Sequence, residues 1–364
     1  MSLQCGIIGV ANVGKSTIFN CMSSTKAEAS GFSFSNKANL SIINVPDARL
    51  YELEKHQPTD KIIHTTVEIV DIPGLSKSSG RSDKGANQFL SEIRNCDALI
   101  HVLRCFDDEN LPHVDGSVNP IRDIETVNLE LQIKDLESVE KKIQRLEKVV
   151  KSGDKDAKKG IEVLNVYKEH LESFQNASTA PVSDDDTKYI ADLFLLSTKP
   201  VIYVCNVDED SAVNGNAYVE KVKEFLKDEK TEILIIAGAM EAEIAELESM
   251  DDRMAFLSDV GLDEPGVNKL IRAAYSLLEL ETFFTVGPKE IRAWTIKRGA
   301  TAPQAAGAIH SDLERGFIRA EVMKYNDFVT LGSEQACKEK GKLSIEGKNY
   351  IVDDGDILHI RFNV

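Results

Sequence analysis

A stretch near the start of the sequence, residues 9–16, has the residue types and spacing of a phosphate-binding loop. It reads Gly-Val-Ala-Asn-Val-Gly-Lys-Ser and matches the pattern G-x-x-x-x-G-K-[S/T]. An apolar run precedes it and a helical pattern follows it, so the loop would join a strand to the positive end of a helix. In that arrangement the Lys15 ammonium reaches the β- and γ-phosphates of a nucleotide, and the Ser16 hydroxyl ligates Mg²⁺.

A second acidic motif follows a strand predicted over residues 65–70. It reads Asp71-Ile-Pro-Gly74 and has the D-x-x-G spacing. The Asp71 carboxylate would hold Mg²⁺ through water, and the Gly74 N–H would meet the γ-phosphate. Leu75 follows, where Ras-like proteins carry the glutamine that orients the attacking water. Because a leucine side chain makes no hydrogen bond, hydrolysis is either slow or depends on another group.

A further strand, predicted over residues 200–205, ends at positions that would read the base. Guanine-specific P-loop proteins have N-K-x-D here, whereas this chain has Asn206-Val207-Asp208-Glu209. Loss of the carboxylate placed for guanine weakens guanine discrimination, and Asn206 could still meet the amino group and N7 of adenine. The loop predicted to close over the base follows the next strand, at Ala237, Gly238 and Ala239.

Three further polar residues allow more than one interpretation. His101 lies within a buried apolar strand and is interpreted as a hydrogen-bonded core residue. His113 lies in a polar loop past that strand, on the side where parallel sheets bind ligands, and both a surface histidine and a functional one remain open. In the polar stretch 30–39, where a switch loop would carry a threonine for Mg²⁺, Ser35 is the candidate and a plain solvated loop is the alternative.

The composition is that of a globular protein with room for two or three domains. The chain has 364 residues, 42% of them apolar and 28% charged. Since no apolar run has the length of a membrane span and no signal-peptide pattern is present, we expect a cytoplasmic location. The six scattered cysteines are expected to be reduced thiols. A net charge of −17 argues against indiscriminate binding of polyanions by the whole surface.

The middle of the chain changes to a helical pattern. Apolar residues recur at spacings of three and four over residues 124–174, with a break at 152–154, which predicts an antiparallel, coiled-coil-like helical hairpin. The hairpin tip, defined as residues 141–159, carries eight basic and three acidic residues, a local charge of +5. A solvated tip and a tip that contacts nucleic-acid phosphates both remain open.

The last part of the chain changes character again. Strands are predicted over residues 282–286, 291–296 and 357–362, and Thr301 is predicted to cap a helix between them. This order indicates a small β-grasp domain. Any RNA contact in it would depend on local features such as Arg292, Lys297 and Arg298.

The predicted fold class is therefore α/β with an inserted hairpin. A P-loop G domain with a mainly parallel sheet is expected in two parts, 1–123 and 196–278. The antiparallel helical hairpin is expected at 124–195, and the C-terminal β-grasp domain at 279–364.

Taken together, these motifs resemble the YchF / Obg-like ATPase family. The resemblance covers essentially the whole chain and rests on the inserted hairpin and on motifs at 9–16, 71–75, 206–209, 292–295, 299–303, 316–321 and 353–356. It implies that the C-terminal domain is a TGS domain. It also implies that ATP is preferred over GTP, that a hydrophobic residue replaces the catalytic glutamine, and that the protein associates with ribosomes.

The resemblance also implies individual roles. The family's catalytic histidine falls on His113, and Val207 falls where a side chain packs on adenine. Asn12 matches the asparagine that helps to hold K⁺ in related potassium-activated enzymes. The expected catalytic residues are His113 and Lys15, and the expected Mg²⁺ ligands are Ser16, Asp71 and Ser35. The expected nucleotide-binding residues are Asn12, Val13, Gly14, Lys15, Ser16, Thr17, Gly74, Asn206, Val207, Glu209, Ala237, Gly238 and Ala239.

The expected function is a ribosome-associated ATPase that uses ATP, Mg²⁺ and, as a further candidate ion, K⁺, and that regulates translation or a stress response. The first switch departs from the family pattern over residues 31–39, where the threonine is absent. Two alternatives therefore stay open: a nucleotide-switched RNA- or ribosome-binding module with negligible hydrolysis, and a GTPase. The expected partners are the ribosome, as a whole or through its large subunit, and RNA. A monomer is expected, with no membrane contact and no DNA specificity.

Overall fold

A computed structural model of the protein describes residues 3–24, 40–74, 84–247 and 249–363. The chain divides into two compact units. The described part of the first unit comprises residues 3–24, 40–41, 69–74, 84–247 and 249–267, and that of the second comprises residues 42–68 and 268–363. The boundaries predicted after residues 123, 195 and 278 stay predictions.

The secondary structure alternates between strands and helices through most of the chain. The strands are β1 (Gln4–Ile8), β2 (Leu40–Asn44), β3 (Ile62–Ile63), β4 (Thr66–Asp71), β5 (Ala98–Arg104), β6 (Val201–Asn206), β7 (Ile233–Ile236), β8 (Leu280–Val286), β9 (Ile291–Lys297), β10 (Phe317–Lys324), β11 (Leu343–Glu346) and β12 (Asp356–Phe362). The helices are α1 (Lys15–Ser24), α2 (Ala48–His56), α3 (Lys84–Asn95), α4 (Pro120–Val150), α5 (Lys155–Glu172), α6 (Ala217–Phe225), α7 (Gly238–Glu246), α8 (Met250–Asp259), α9 (Gly266–Leu277), α10 (Ala302–Ile309), α11 (Ser311–Arg315), α12 (Tyr325–Leu331) and α13 (Glu334–Glu339).

The first sheet has the strand order β2-β4-β1-β5-β6-β7, in which β1, β5, β6 and β7 pair in parallel. Every residue of β5 is buried, as expected for a strand that is covered on both faces. Because parallel strands have their carboxyl ends at one edge of a sheet, the segments that follow β1, β5, β6 and β7 lie along the same edge. This edge positions the candidate site.

Helices α4 and α5 form the predicted antiparallel hairpin. Helix α4 begins at Pro120, four residues before the predicted start, because Asn119 supplies the cap and proline suits the first turn. Asp154 caps α5 just after the turn. The two helices share a buried apolar cluster that includes Val139, Leu164, Tyr167 and Leu171.

The second unit contains a sheet with the order β11-β10-β12-β8-β9-β3. Strands β8 and β9 form an antiparallel hairpin, and β12 runs parallel to β8. Helix α10 packs on the sheet through Ala302, Ala305 and Ala306, and its N-cap, Thr301, forms a capping box with Gln304. This is the β-grasp arrangement of a TGS domain, so the predicted fold class is confirmed.

Two further expectations concern composition. All six cysteines are buried free thiols, which confirms the expectation of reduced cysteines. Among the helices in the described ranges, none has the length and apolar character needed to cross a membrane.

Candidate nucleotide-binding site

The phosphate loop makes a tight turn between β1 and α1. Gly9, Asn12 and Gly14 all have positive φ angles, of 146°, 63° and 93°. A Cβ atom at Gly14 would lie 2.2 Å from Asn206 Nδ2, so the turn requires glycine there. Helix α1 begins at Lys15, directly after the turn, and the loop therefore offers backbone N–H groups and a helix N-terminus to an anion.

Replacing Gly14 with alanine is expected to lower nucleotide affinity at least about tenfold and to destabilise the protein by about 2 kcal/mol, because backbone strain and a clash with Asn206 combine. Calorimetric titration and denaturant unfolding measure the two effects. Gly153→Ala is the matched control, since Gly153 has a similar φ of 88° but open space around its Cβ position. Equal losses of affinity in both variants would contradict the role given to Gly14.

Lys15 lies inside the loop. Its side chain is 7% exposed, and Nζ donates to the Val10 carbonyl at 2.7 Å. Burial lowers the pKa of Lys15 to about 8, although the nearby Asp71 carboxylate acts in the opposite direction. A Cβ atom at Gly74 would lie 2.5 Å from Lys15 Nζ. The D-x-x-G glycine therefore approaches the phosphate loop closely.

Ser16 and Asp71 provide the oxygen atoms that a magnesium ion would need. Ser16 Oγ donates to Asp71 Oδ2 at 3.0 Å. Asp71 Oδ1 is buried and has no hydrogen-bond partner among the described residues, and burial raises the pKa of Asp71. Mg²⁺ prefers hard oxygen ligands, and the Ser16 hydroxyl and the Asp71 Oδ1 atom are of that kind. The third predicted ligand, Ser35, lies outside the described residues, as does Leu75.

Asn206 connects the phosphate loop to the loop after β7. It is 4% exposed; Nδ2 donates to the Val13 carbonyl and Oδ1 accepts from the Gly238 N–H, both at 2.9 Å. The sequence suggested that this amide faces adenine. In the structure its hydrogen bonds connect the phosphate loop to the loop after β7. One Nδ2 hydrogen is then left for a base.

The other predicted base-reading residues differ in exposure. Val207 is buried in a core cluster with Leu103 and Cys205, so its side chain offers little surface to a base. Glu209 and Ala239 are exposed, and Ala237 is buried. Asp208 accepts from the Ser211 N–H and caps a short 3-10 turn, Glu209–Ser211. Glu209, unlike Asp208, is therefore not engaged as the cap of that turn.

A buried arginine shapes the segment after β5. The Arg104 guanidinium donates to the carbonyl oxygens of Phe106, Asp108 and Leu111 at 3.1, 3.2 and 2.7 Å. Sequence reasoning did not single out Arg104, because it is the last residue of an apolar strand and no motif marks it. Its three bonds to main-chain oxygens hold the loop that leads to His113.

His113 is buried beside the phosphate loop. The residue is 8% exposed, Nε2 lies 3.0 Å from Asp123 Oδ2, and Nδ1 accepts from the Asp115 N–H at 3.1 Å. Asn12 Nδ2 donates to the carbonyl of Pro112, the preceding residue, at 3.2 Å. His113 is therefore not a surface histidine. Oδ1 is the Asn12 atom that remains to ligate a cation such as K⁺.

His101 is a core residue, as predicted. It is buried in β5, and burial lowers its pKa to about 3. Its Nε2 has no hydrogen-bond partner among the described residues, so the predicted hydrogen bonding does not extend to that atom. His101 makes a tilted ring contact with Tyr203 at 5.5 Å between centroids.

Comparisons with known proteins identify the family of the chain. A family model described as a 50S ribosome-binding GTPase matches residues 4–165, and the model YchF-GTPase_C, described as a protein of unknown function, matches residues 280–363. The chain is 45% identical over 367 residues to the ribosome-binding ATPase YchF of Bacillus subtilis, with all of both chains covered. It is 41% identical over 374 residues to Obg-like ATPase 1 of Rattus norvegicus, covering all of this chain and 93% of the other.

Solved structures show the same relationship. The YchF GTPase of Schizosaccharomyces pombe matches with a TM-score of 0.89 at 31% identity, covering 99% of this chain and 98% of the other. A GTP-binding protein of Pyrococcus horikoshii matches with a TM-score of 0.61 at 20% identity, which supports the fold alone. With full-length identities above 40% and the phosphate loop, D-x-x-G motif and β-grasp unit in place, the chain belongs to the YchF and Obg-like ATPase family.

Proposed function

We propose that the protein is an ATPase that associates with the ribosome and acts in the cytoplasm as a monomer, converting ATP to ADP and phosphate. The observation that carries the proposal is the close approach of Gly74 to Lys15, together with the hydrogen bond from Ser16 to Asp71, at the carboxyl edge of the sheet. The names of the relatives, ribosome-binding ATPase and Obg-like ATPase, support it. A role in regulating translation or a stress response is part of the proposal.

We assign a separate role in hydrolysis to each of the described site residues. The Lys15 ammonium and the N-terminus of α1 stabilise charge on the phosphates. Mg²⁺, held by Ser16 and through water by Asp71, would neutralise phosphate oxygens when bound. Leucine at position 75 cannot orient water, so the group that does so comes from elsewhere, and His113 is the proposed residue. K⁺ at Asn12 would add positive charge beside the phosphates.

Calorimetry with non-hydrolysable ATP and GTP analogues, in potassium buffer with Mg²⁺, tests the choice of nucleotide. ATP is expected to bind more tightly, because this strand end lacks the aspartate that would accept from guanine and carries Glu209 one methylene further out. Tighter binding of GTP would mean that other groups read the base, and the ATPase proposal would then be withdrawn.

A second candidate function is a nucleotide-switched ribosome- or RNA-binding module with negligible hydrolysis. The absence of a threonine from residues 31–39 favours it. Turnover of the wild-type protein that cannot be distinguished from that of Lys15→Ala would support this module. Turnover that clearly exceeds the variant would support the enzyme.

The hairpin tip is the proposed contact with RNA phosphates. Six of its seven lysines are exposed, all except Lys142. Three of the seven have acidic partners within the described residues: Lys159 pairs with Asp186 at 2.5 Å, Lys142 pairs with Asp192, and Lys141 lies 3.9 Å from Glu137. The lysines outside these pairs are Lys148, Lys151, Lys155 and Lys158. The positive charge that is open to a partner therefore lies nearer the turn than the sequence suggested.

Reversing Lys151, Lys155 and Lys158 to glutamate is expected to weaken ribosome co-sedimentation at least about tenfold and to reduce its salt dependence, because each lost phosphate contact removes a released counterion. Reversing the exposed residues Lys221, Lys223 and Lys227 is the control. These lysines lie on α6 and just after it, and their reversal changes the net charge by the same amount as the tip variant does. Unchanged sedimentation of the tip variant would remove the tip from the proposed interface.

A further inference from the structure

We propose that Asp123 is a positioning residue for hydrolysis, which holds the His113 imidazole in the tautomer with its proton on Nε2 and its lone pair on Nδ1. The inference rests on the proposed ATPase function and on the place of His113 in it. It adds a residue that the motifs do not mark.

The partners of the ring determine where its proton lies. Nε2 faces the Asp123 carboxylate, which accepts at 3.0 Å. Nδ1 faces two groups that can only donate, the Asp115 N–H at 3.1 Å and Arg122 Nη2 at 3.4 Å. A hydrogen on Nδ1 would point at both donors, whereas a hydrogen on Nε2 satisfies all three partners.

Asp123 lies on a helix and His113 lies on a loop, so the carboxylate is held more rigidly than the imidazole ring. The side chains of His113 and Asp123 are 2% and 1% exposed. Asp123 lies in the first turn of α4, a helix of 31 residues whose N-terminus is capped by Asn119. His113 lies on a loop that contacts the phosphate loop through the bond from Asn12 to Pro112. The helix therefore provides a rigid acceptor for a ring that is placed beside the nucleotide site.

Nδ1 is consequently the nitrogen able to take a proton from water. It accepts the Asp115 N–H and lies 3.4 Å from Arg122 Nη2, so both donors must leave Nδ1 before reaction, while Nε2–H stays on Asp123. The water proton then moves to Nδ1 as its oxygen bonds to the γ-phosphorus and the bond to the β,γ-bridging oxygen breaks. Asp123 stabilises the imidazolium, which later gives the proton to solvent.

The same atoms argue against a metal site here. One atom each of His113, Asp115 and Asp123 lies within 4.8 Å of the others, a spacing that could hold a cation. However, Nε2 carries the hydrogen and the Nδ1 lone pair is occupied by donors. The single imidazole lone pair, on Nδ1, is therefore engaged by hydrogen-bond donors in this conformation, and the cluster is better explained as a positioned base than as a metal site.

Asp123→Asn tests the proposal. The amide can present either an oxygen or an N–H to Nε2, so it no longer selects one tautomer. Turnover is expected to fall about a hundredfold, with the affinity for a non-hydrolysable ATP analogue unchanged within about twofold. Glu125→Gln is the matched control, because it removes an equal charge from an exposed position two residues further along α4 and should leave both values unchanged. Unchanged turnover of Asp123→Asn would overturn the proposal.

Two further measurements separate positioning from a structural effect on α4. In a His113→Ala background, Asp123→Asn is expected to lower turnover no further; an equal fall in both backgrounds would show that Asp123 does not act through His113. Imidazole nitrogen NMR, with His113→Ala identifying the signal, should show the Nε2–H tautomer in the wild type and a mixture in Asp123→Asn. A wild-type protein without turnover would refute the proposed function itself, which is a different outcome from turnover that ignores Asp123.

Discussion

Replacing Lys15 with alanine is expected to lower ATP turnover by about a thousandfold, because the variant loses a buried ammonium that would lie against the phosphates. The geometry makes this position hard to replace. Lys15 is buried, and the Cβ position of Gly74 lies 2.5 Å from Nζ. Lys15→Arg is therefore expected to fail as well, since the guanidinium keeps the charge but not the shape.

Steady-state turnover and analogue affinity, measured on the same preparations, check this expectation. Lys221→Ala is the control, because it removes the same charge from an exposed position on α6. Wild-type turnover in Lys15→Ala would show that the phosphates bind somewhere other than residues 9–16.

The lowered pKa of Lys15 gives the same prediction a pH dependence. With a pKa of about 8 in the free protein, part of the Lys15 population is neutral at pH 8. Bound phosphates favour the ammonium form of Lys15 and raise its pKa. Nucleotide binding is therefore expected to add a proton to Lys15 at any pH where the side chain is partly neutral in the free protein. Affinity should therefore fall as the pH rises through about 8. Calorimetry in buffers with different ionisation enthalpies would detect the proton uptake, which Lys15→Ala should abolish.

The sequence predicted the first unit in more detail than the second. Strands such as β5 are continuous apolar runs, and α4 and α5 repeat their apolar residues at helical spacing, so local pattern suffices. Strand β10 was missed, because a register shift between Phe317 and Arg319 interrupts the alternation that would reveal it. Strand β3 has two residues, and its pairing with Ile291 and Arg292 of β9 is a long-range contact that no local pattern shows.

In the site, residues that belong to a motif could be predicted, whereas a residue placed by a tertiary contact could not. Lys15, Ser16, Asp71 and Gly74 could be predicted because their chemistry needs a fixed spacing along the chain, and the structure brings them together. Asp123 could not, since an acidic residue in the first turn of a helix is already explained by the helix dipole. Its bond to His113 joins two residues ten positions apart across a loop, a contact that no motif spacing or local pattern marks.

Asn206→Ala is expected to have a second large effect, on stability and on binding together. The substitution removes the bonds to the Val13 carbonyl and to the Gly238 N–H and leaves a small cavity, a loss of about 3 kcal/mol in the free energy of unfolding. It also frees the phosphate loop from the loop after β7. Nucleotide affinity should therefore fall by more than about tenfold.

Asn216→Ala distinguishes a general loss of stability from a loss of site geometry. Asn216 also bonds through both ends of its amide, donating to the Cys105 carbonyl at 2.7 Å and accepting from the N–H groups of Tyr218 and Val219 at the start of α6. Its replacement should lower stability by a similar amount but change affinity by less than about twofold. If both variants lose affinity equally at a temperature where both are folded, Asn206 contributes through the fold as a whole. If only Asn206→Ala loses affinity, the hydrogen bonds of the amide hold the two loops in place around the nucleotide.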